Sequence, residues 1–339
     1  MIRTDRLTRT FRVNGSTVGA VRGIDLDVAP GELLVVLGPN GSGKSTTLRM
    51  LTTLLPPSSG TARVAGHDVT TEARQVRRRI GYVSQHGSAG EDQRVAEELV
   101  TQGRCHGMSR AVAQERGQDL LAQFQLDGLH RRPVGSLSGG QRRRLDIALG
   151  LMHQPQLLFL DEPSTGLDPH SRANLWEHIA QLRADSGATI LLSTHYLDEA
   201  DTTAGVERVV VLDEGRVIAD GTPADLKAKV SGDLLTLTCV DAEHAGRVTR
   251  TVDASMPQLR AEASAGTGAD TATGTGTEQH SAVVQLRVAN GAEALPEVLG
   301  ALHREDIPPL SAQVRRPTLD DVFLTLTGRS LREPEETAA

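Results

Sequence analysis

The stretch LLVVLGPNGSGKST, residues 33 to 46, restricts this chain more than any other feature. Five apolar residues followed by glycine and proline read as a strand covered on both faces. Gly38, Pro39, Asn40, Gly41, Ser42 and Gly43 then turn the chain with little side-chain bulk. From Lys44, Ser45 and Thr46 onward, Leu48, Leu51 and Leu55 recur at helical spacing until PPSSG stops the helix. Strand, glycine loop and helix are the frame of a phosphate-binding loop, whose backbone N–H groups face phosphate oxygens at a helix N-terminus. The lysine is informative in itself. The chain has 33 arginines and three lysines, yet lysine stands at position 44, where a compact ammonium threads between phosphates and a rigid guanidinium fork does not fit.

Such a loop needs a sheet behind it. QLLFL, ending at Leu160, and TILLST, ending at Thr194, read as two more buried strands, with a helix from about Ser171 to Leu182 between them. This alternation predicts an α/β domain with a mainly parallel sheet. IDLDV, Ile24 to Val28, alternates as a half-buried strand, and VERVVVLDEGRVIADG predicts a hairpin turning at Glu214-Gly215. The polar, glycine-broken helical stretch from Gln93 to His130 predicts a helical subdomain of about residues 86–155 inserted into a core domain of residues 1–230. Beyond it, LLTLTCV and AVVQLRV alternate with period two, each followed by a helical pattern, so residues 231–329 are expected to form a small C-terminal α+β domain. A length of 339 suits one large and one small domain. Residues 263–280 are small and polar and are expected to be a flexible insertion, and 330–339 a disordered tail.

LLFLDEP ends its strand with Asp161 and Glu162. An acidic pair there is ordinarily a helix cap or a solvated turn. Behind a phosphate loop it suits Mg²⁺ chemistry, with Asp161 and the Ser45 hydroxyl as oxygen ligands and Glu162 orienting or deprotonating the attacking water. Phe11, an aromatic ahead of the first core strand, either stacks on a base or packs in the core. The net charge of -7 and pI near 5.9 argue against a mainly nucleic-acid partner, and the arginine runs 77–79 and 142–144 read as solvated helix faces. Cys105 and Cys239 show no paired spacing, so neither a disulfide framework nor a zinc site is expected. The N-terminus lacks an apolar run of signal length, and no apolar run is long enough to cross a bilayer, so the chain is expected not to span membranes.

GSLSGGQRRRLDIA, Gly135 to Ala148, is a second glycine-rich helix start without a lysine. Ser138 has the chemistry of an N-cap, and Gly139 and Gly140 expose the first amides of a helix that buries Leu145, Ala148, Leu149 and Met152. This turn can bind a phosphate, but it belongs to the helical insert and cannot easily fold back on the loop at Lys44. A second copy of the chain, arranged head-to-tail with two-fold symmetry, lets each turn close over the other chain's nucleotide.

At these residues the sequence resembles the ATP-binding cassette (ABC) family, in family order and spacing over about residues 1–225: Gly38 to Ser45, Gln85, LSGGQ at Leu137 to Gln141, Asp161 and Glu162, STGLD ending at Asp168, and His195. The resemblance implies a P-loop NTPase nucleotide-binding domain with a mixed-sheet core and an inserted helical subdomain, using ATP and Mg²⁺. It implies a homodimer that sandwiches ATP, with Ser138, Gly140 and Gln141 serving the opposite subunit and Asp168 communicating across the interface. Gln85 at the metal or water and His195 at the γ-phosphate rest on this resemblance. It further implies a separately encoded membrane permease as partner and a cytoplasmic, peripheral position on the inner face of the membrane. The tail RRPTLDDVFLTLTGR resembles the daunorubicin-resistance type of exporter ATP-binding subunit, implying export of a hydrophobic drug or natural product; it also reads as an amphipathic helix with Leu319, Val322, Phe323 and Leu326 inward. The alternative is a non-transport ABC ATPase acting on nucleic acid or ribosomes. Such relatives typically carry two cassettes, a long coiled coil or zinc-binding cysteines, whereas here 93 residues without sustained heptads separate Lys44 from Ser138.

Overall fold

A computed structural model describes residues 1–13, 15–87, 89–202, 205–230, 232–256, 261–264 and 282–328. The chain divides into two compact units between Pro223 and Ala224. Of the expected insertion 263–280, residues from 265 on lie outside the described residues, as does the whole tail 330–339.

The first unit contains two sheets. One is antiparallel, in the order β2-β1-β4-β5, from β1 (Ile2–Val13), β2 (Ser16–Val28), β4 (Ser59–Val64) and β5 (His67–Asp68). Ile24, Leu26 and Val28 of β2 are buried and the acids between them exposed, as their alternation requires. The other sheet runs β10-β9-β3-β8-β7-β6. Its parallel members are β3 (Leu33–Leu37), β6 (Ile80–Val83), β7 (Leu157–Asp161), β8 (Thr189–Thr194) and β9 (Arg208–Asp213), and β10 (Arg216–Gly221) is an antiparallel edge. The hairpin between β9 and β10 turns at Glu214-Gly215, both at positive φ, the pair of left-handed conformations a two-residue turn demands. Every residue of β3, β7 and β8 is buried, which is why these strands read as unbroken apolar runs; each large side chain so removed from water contributes about 1.5–3 kcal/mol.

The helices of this unit are α1 (Lys44–Leu51), α2 (Ala73–Arg77), α3 (Val95–Cys105), α4 (Arg110–Gln123), α5 (Gly139–Leu151), α6 (Pro169–Ser186) and α7 (Leu197–Thr202). Helices α3, α4 and α5 pack on one another as the inserted helical subdomain. The fit between α3 and α4 is close enough that a Cβ on Gly103 would stand 2.8 Å from that of Ala113. Helix α6 is longer than the 171–182 its apolar spacing indicates, because Asp168 caps it, Pro169 opens it and left-handed Gly187 closes it. Leu145, Ala148, Leu149 and Met152 are buried as expected, but the reading of 142–144 as a solvated face is wrong for Arg143, which is 7% exposed. Arg143 lies one and two turns before Ile147 and Leu151, both buried, and helical period carries it to their face.

The second unit opens with α8 (Pro223–Ala228), whose first residue closes the first unit, and continues through β11 (Asp233–Cys239), α9 (Ala242–Ser255), β12 (Ala261–Ser264), β13 (Ala282–Val288), α10 (Gly291–Arg304), β14 (Ser311–Arg315) and α11 (Leu319–Thr327). Its antiparallel sheet is ordered β12-β13-β11-β14, the split βαβ arrangement of an α+β domain. Leu235, Leu237, Val284 and Leu286 pack with Val248 and Val252 of α9 and Val298 and Leu302 of α10. On α11, Leu319, Val322 and Phe323 are buried, whereas Leu326, in the last turn before the Gly328 cap, is 48% exposed, against expectation. Cys105 and Cys239 are free. No helix among the described residues is long and apolar enough to cross a membrane.

Candidate functional site

The ends of β3, β7 and β8 lie side by side in the parallel sheet, and each leads into a polar segment at the same edge, where α/β sheets form their ligand crevices. After β3 come residues 38–43 and then α1. The loop fits tightly against its surroundings: a Cβ on Gly38 would stand 2.2 Å from the Leu212 carbonyl oxygen, and one on Gly43 (φ 102°) 2.6 Å from that of Ala20. Glycine is therefore the residue that fits at both positions. Lys44, 4% exposed, donates to the carbonyl oxygens of Gly38 at 2.6 Å and Pro39 at 3.1 Å, and its ammonium is 3.1 Å from Glu162 Oε1. The Ser42 hydroxyl is buried without a partner, an unsatisfied polar atom within the loop.

After β7, Asp161 accepts from Ser45 Oγ at 2.9 Å and Ser193 Oγ at 2.7 Å through Oδ1, and from the Tyr82 hydroxyl at 3.4 Å through Oδ2. The β7–β8 register sets Asp161 directly opposite Ser193. Glu162 follows with φ 48°, a left-handed backbone costing a non-glycine residue about 1–2 kcal/mol. Its amide is held by the Ser193 carbonyl and hydroxyl, both at 3.1 Å. The side chain is thereby turned toward Lys44, the Thr165 hydroxyl at 3.2 Å and His195 Nδ1, which lies 2.5 Å from Oε2. Burial alone would raise the Glu162 carboxyl, but the hydrogen bond with His195 and the Lys44 ammonium outweigh it and hold the group below the usual carboxylate range.

Lys44, Ser45, Asp161, Glu162 and His195 thus converge. Gln85 is exposed just past β6 and takes no part in the described hydrogen bonds among them. Phe11, on β1, is half-buried, with the Arg9 guanidinium 4.8 Å from its ring centroid. Ser138 caps α5 in a capping box: its hydroxyl accepts from the Gln141 amide at 3.3 Å, and its own amide donates to Gln141 Oε1 at 3.1 Å. Gly139 faces Leu167, and Gly140 lies so near α6 that a Cβ there would be 2.9 Å from Ser171 Oγ. Asp168 accepts from the Ser171 amide at 2.9 Å and hydroxyl at 2.6 Å, and these hydrogen bonds lower its pKa. None of the described hydrogen bonds joins residues 138–141 to the loop at 38–46.

Four further residues contribute to the site. Ser193 and Tyr82 hold Asp161, and only strand register reveals them. Arg143 donates to the carbonyls of Pro163 at 2.7 Å, Ser84 at 2.6 Å and Asp161 at 3.1 Å, tying the segments after β6 and β7 to α5; helical period was its signal. Thr165 reaches Glu162 from the following turn. The oxygen donors Ser45 and Asp161, in mutual contact, suit a hard divalent cation such as Mg²⁺. No cluster of three or more His, Cys, Asp or Glu side chains among the described residues is arranged to hold a metal ion.

Residues 21–165 match the family model described as ABC transporter. The chain is 42% identical to the daunorubicin/doxorubicin resistance ATP-binding protein of Streptomyces peucetius, over 99% of this chain and 96% of that protein. It is 37% identical to Nod factor export ATP-binding protein I of Cupriavidus metallidurans, over 92% and 94%. A bacterial ABC transporter cassette solved as a dimer superposes with a TM-score of 0.60 at 25% identity, covering 66% of this chain and 98% of that one.

Proposed function

Because the chain belongs to the ABC transporter family of ATP-binding proteins, which hydrolyse ATP, we propose that it is the motor subunit of a membrane exporter: it dimerises on ATP and drives a separately encoded permease from the cytoplasmic face of the membrane. The observation that carries this reading is the meeting of Lys44, Ser45, Asp161, Glu162 and His195 at one sheet edge.

The loop amides from Gly38 to Thr46 and the Lys44 ammonium receive the phosphates, with the dipole of α1 favouring their charge. Lys44 is shared with Glu162, so phosphate oxygens entering the loop compete for it and free Glu162 Oε1 to face water. Glu162, kept ionised, accepts a proton from that water or orients it. His195 fixes the other Glu162 oxygen and reaches toward the γ-phosphate. Ser45, Asp161 and Gln85 are the residues that would hold Mg²⁺, which when bound neutralises charge developing on the transferred phosphoryl group. Phe11 is available for the adenine, its ring already carrying the Arg9 cation on one face.

In the same reading Ser138, Gly139, Gly140 and Gln141 contact the nucleotide of the opposite subunit, and Asp168 lies at the interface. Their exposed helix start and the absence of a link to this chain's own loop support a role in trans. The resistance and export proteins that this chain resembles support a hydrophobic drug or natural product as cargo. The test is Glu162→Gln: ATP binding is retained, steady turnover is lost and an ATP-bound dimer accumulates. Unchanged hydrolysis removes Glu162 from the chemical step.

A further inference from the structure

One buried acid in the first unit has no part in the mechanism above. Glu199, in α7, is 2% exposed. Thr194 Oγ1 donates to its Oε2 at 2.7 Å and at the same time accepts from the Tyr196 amide at 3.0 Å. His195 is therefore the middle residue of a turn whose two flanks are tied to one hydroxyl, and that hydroxyl is anchored on Glu199. The other carboxylate oxygen is 3.6 Å from Arg172 Nε. The Arg172 guanidinium covers the Tyr196 ring at 4.1 Å, and that ring packs on the His195 imidazole with centroids 4.0 Å apart. Ser164 and Trp176 sit beside the same carboxylate and favour its ionised form, although neither closes a full hydrogen bond to it.

Burial makes this carboxyl reluctant to ionise and pushes its pKa up. An apolar residue would fill the space at lower cost. What an apolar residue would not do is hold Thr194, which precedes His195, together with Arg172, which covers the Tyr196 ring packed on the imidazole. Arg172 also belongs to the first turn of α6, its amide donating to the Asp168 carbonyl, so the same acid connects that helix start with the histidine.

We propose that Glu199 is a positioning residue for ATP hydrolysis: through the Thr194 hydroxyl and through the Arg172–Tyr196 stack it fixes the His195 imidazole against Glu162. The proposal rests on the reading of His195 given above. An imidazole released from both supports loses its alignment with Glu162, and misplacement on the ångström scale slows a chemical step without weakening substrate binding.

The experiment compares steady-state ATP hydrolysis by this chain with that of Glu199→Gln, Thr194→Val, Thr194→Ser, His195→Ala and the double variant His195→Ala/Glu199→Gln. Glu199→Gln and Thr194→Val are expected to lower kcat roughly 10- to 100-fold with KM for ATP nearly unchanged. Thr194→Ser, which keeps the hydroxyl, restores turnover, and the double variant is no slower than His195→Ala. A cooperative thermal transition in the emission of Trp176, the single tryptophan, checks that the unit is folded in Glu199→Gln. If Glu199→Gln does not fold, the two Thr194 variants carry the test. Wild-type kcat in folded Glu199→Gln or in Thr194→Val, or losses that multiply in the double variant, overturn the positioning role. Wild-type turnover in His195→Ala refutes the reading of His195 and this proposal with it, whereas a disabled His195→Ala beside an unaffected Glu199→Gln refutes the positioning role alone.

Discussion

Replacing Arg143 by alanine withdraws one guanidinium from three backbone carbonyls at once, those of Ser84, Asp161 and Pro163, at 2.6, 3.1 and 2.7 Å. A buried acceptor stripped of its donor costs about 1–3 kcal/mol. Part of that loss is returned, because the cation itself is costly to bury, as its lowered pKa records, with burial the leading cause. The balance expected for breaking such a buried charged network is a destabilisation of about 3–5 kcal/mol. In a unit of this size each kcal/mol moves the thermal midpoint by about 2–4 °C, so Arg143→Ala should melt about 6–20 °C lower. The neighbouring Arg142 is the internal control. It pairs at 3.0 Å with Glu91, whose side chain is 70% exposed, and Arg142→Ala should cost under about 1 kcal/mol. Trp176, the only tryptophan, lies in the first unit, and its emission on heating follows that unit alone. Midpoints for the two variants within about 2 °C of each other would refute the reasoning, because the three carbonyls would then be satisfied without Arg143.

Mixing Lys44→Ala chains with Ser138→Arg chains should leave one working site in each mixed dimer, recovering part of the turnover that neither variant shows alone; no recovery at any ratio counts against a site completed in trans. Gly43→Ala should abolish ATP binding measured by equilibrium titration, because the backbone is left-handed and the added methyl would stand 2.6 Å from the Ala20 carbonyl oxygen. In the second unit, burial would raise the Asp321 carboxyl, but the Thr318 amide and hydroxyl and the Arg315 guanidinium outweigh it and hold its pKa below the usual range. A lowered folded pKa stabilises above the unfolded value and is lost as pH falls through the folded one. Asp321→Asn should therefore cost about 1 kcal/mol at neutral pH by urea denaturation followed by circular dichroism, and the gap from wild type should close on acidification; a gap independent of pH contradicts this.

The parts of the site legible in the sequence are those encoded within a few residues. A buried strand, a glycine loop and a helix start specify the surroundings of Lys44 without reference to anything distant, and the same holds for Asp161 and Glu162 at the end of LLFL. Ser193 was illegible because its relation to Asp161 exists only across the β7–β8 ladder, at a separation of 32 residues. Arg143 was hidden differently. Three successive arginines look like one charged face, although on a helix successive residues point about 100° apart, and only Arg143 shares its face with the buried Ile147 and Leu151. Glu199 stands among other acids in LDEAD, and nothing local marks it out; the fold sets it against Thr194 at the end of β8. The second glycine turn has a local explanation in its capping box and in the packing of Gly140 on α6.

The near contact between Gly140 and Ser171 has a mechanical consequence. Ser171 spends its amide and hydroxyl on Asp168 while its Cβ abuts the glycine, so the opening turns of α5 and α6 meet in a single pad with Ser138 at one margin and Asp168 at the other. A side chain larger than hydrogen at position 140 would push on Ser171 and on the hydroxyl hydrogen bond it gives Asp168, so a single methyl there is felt at both margins.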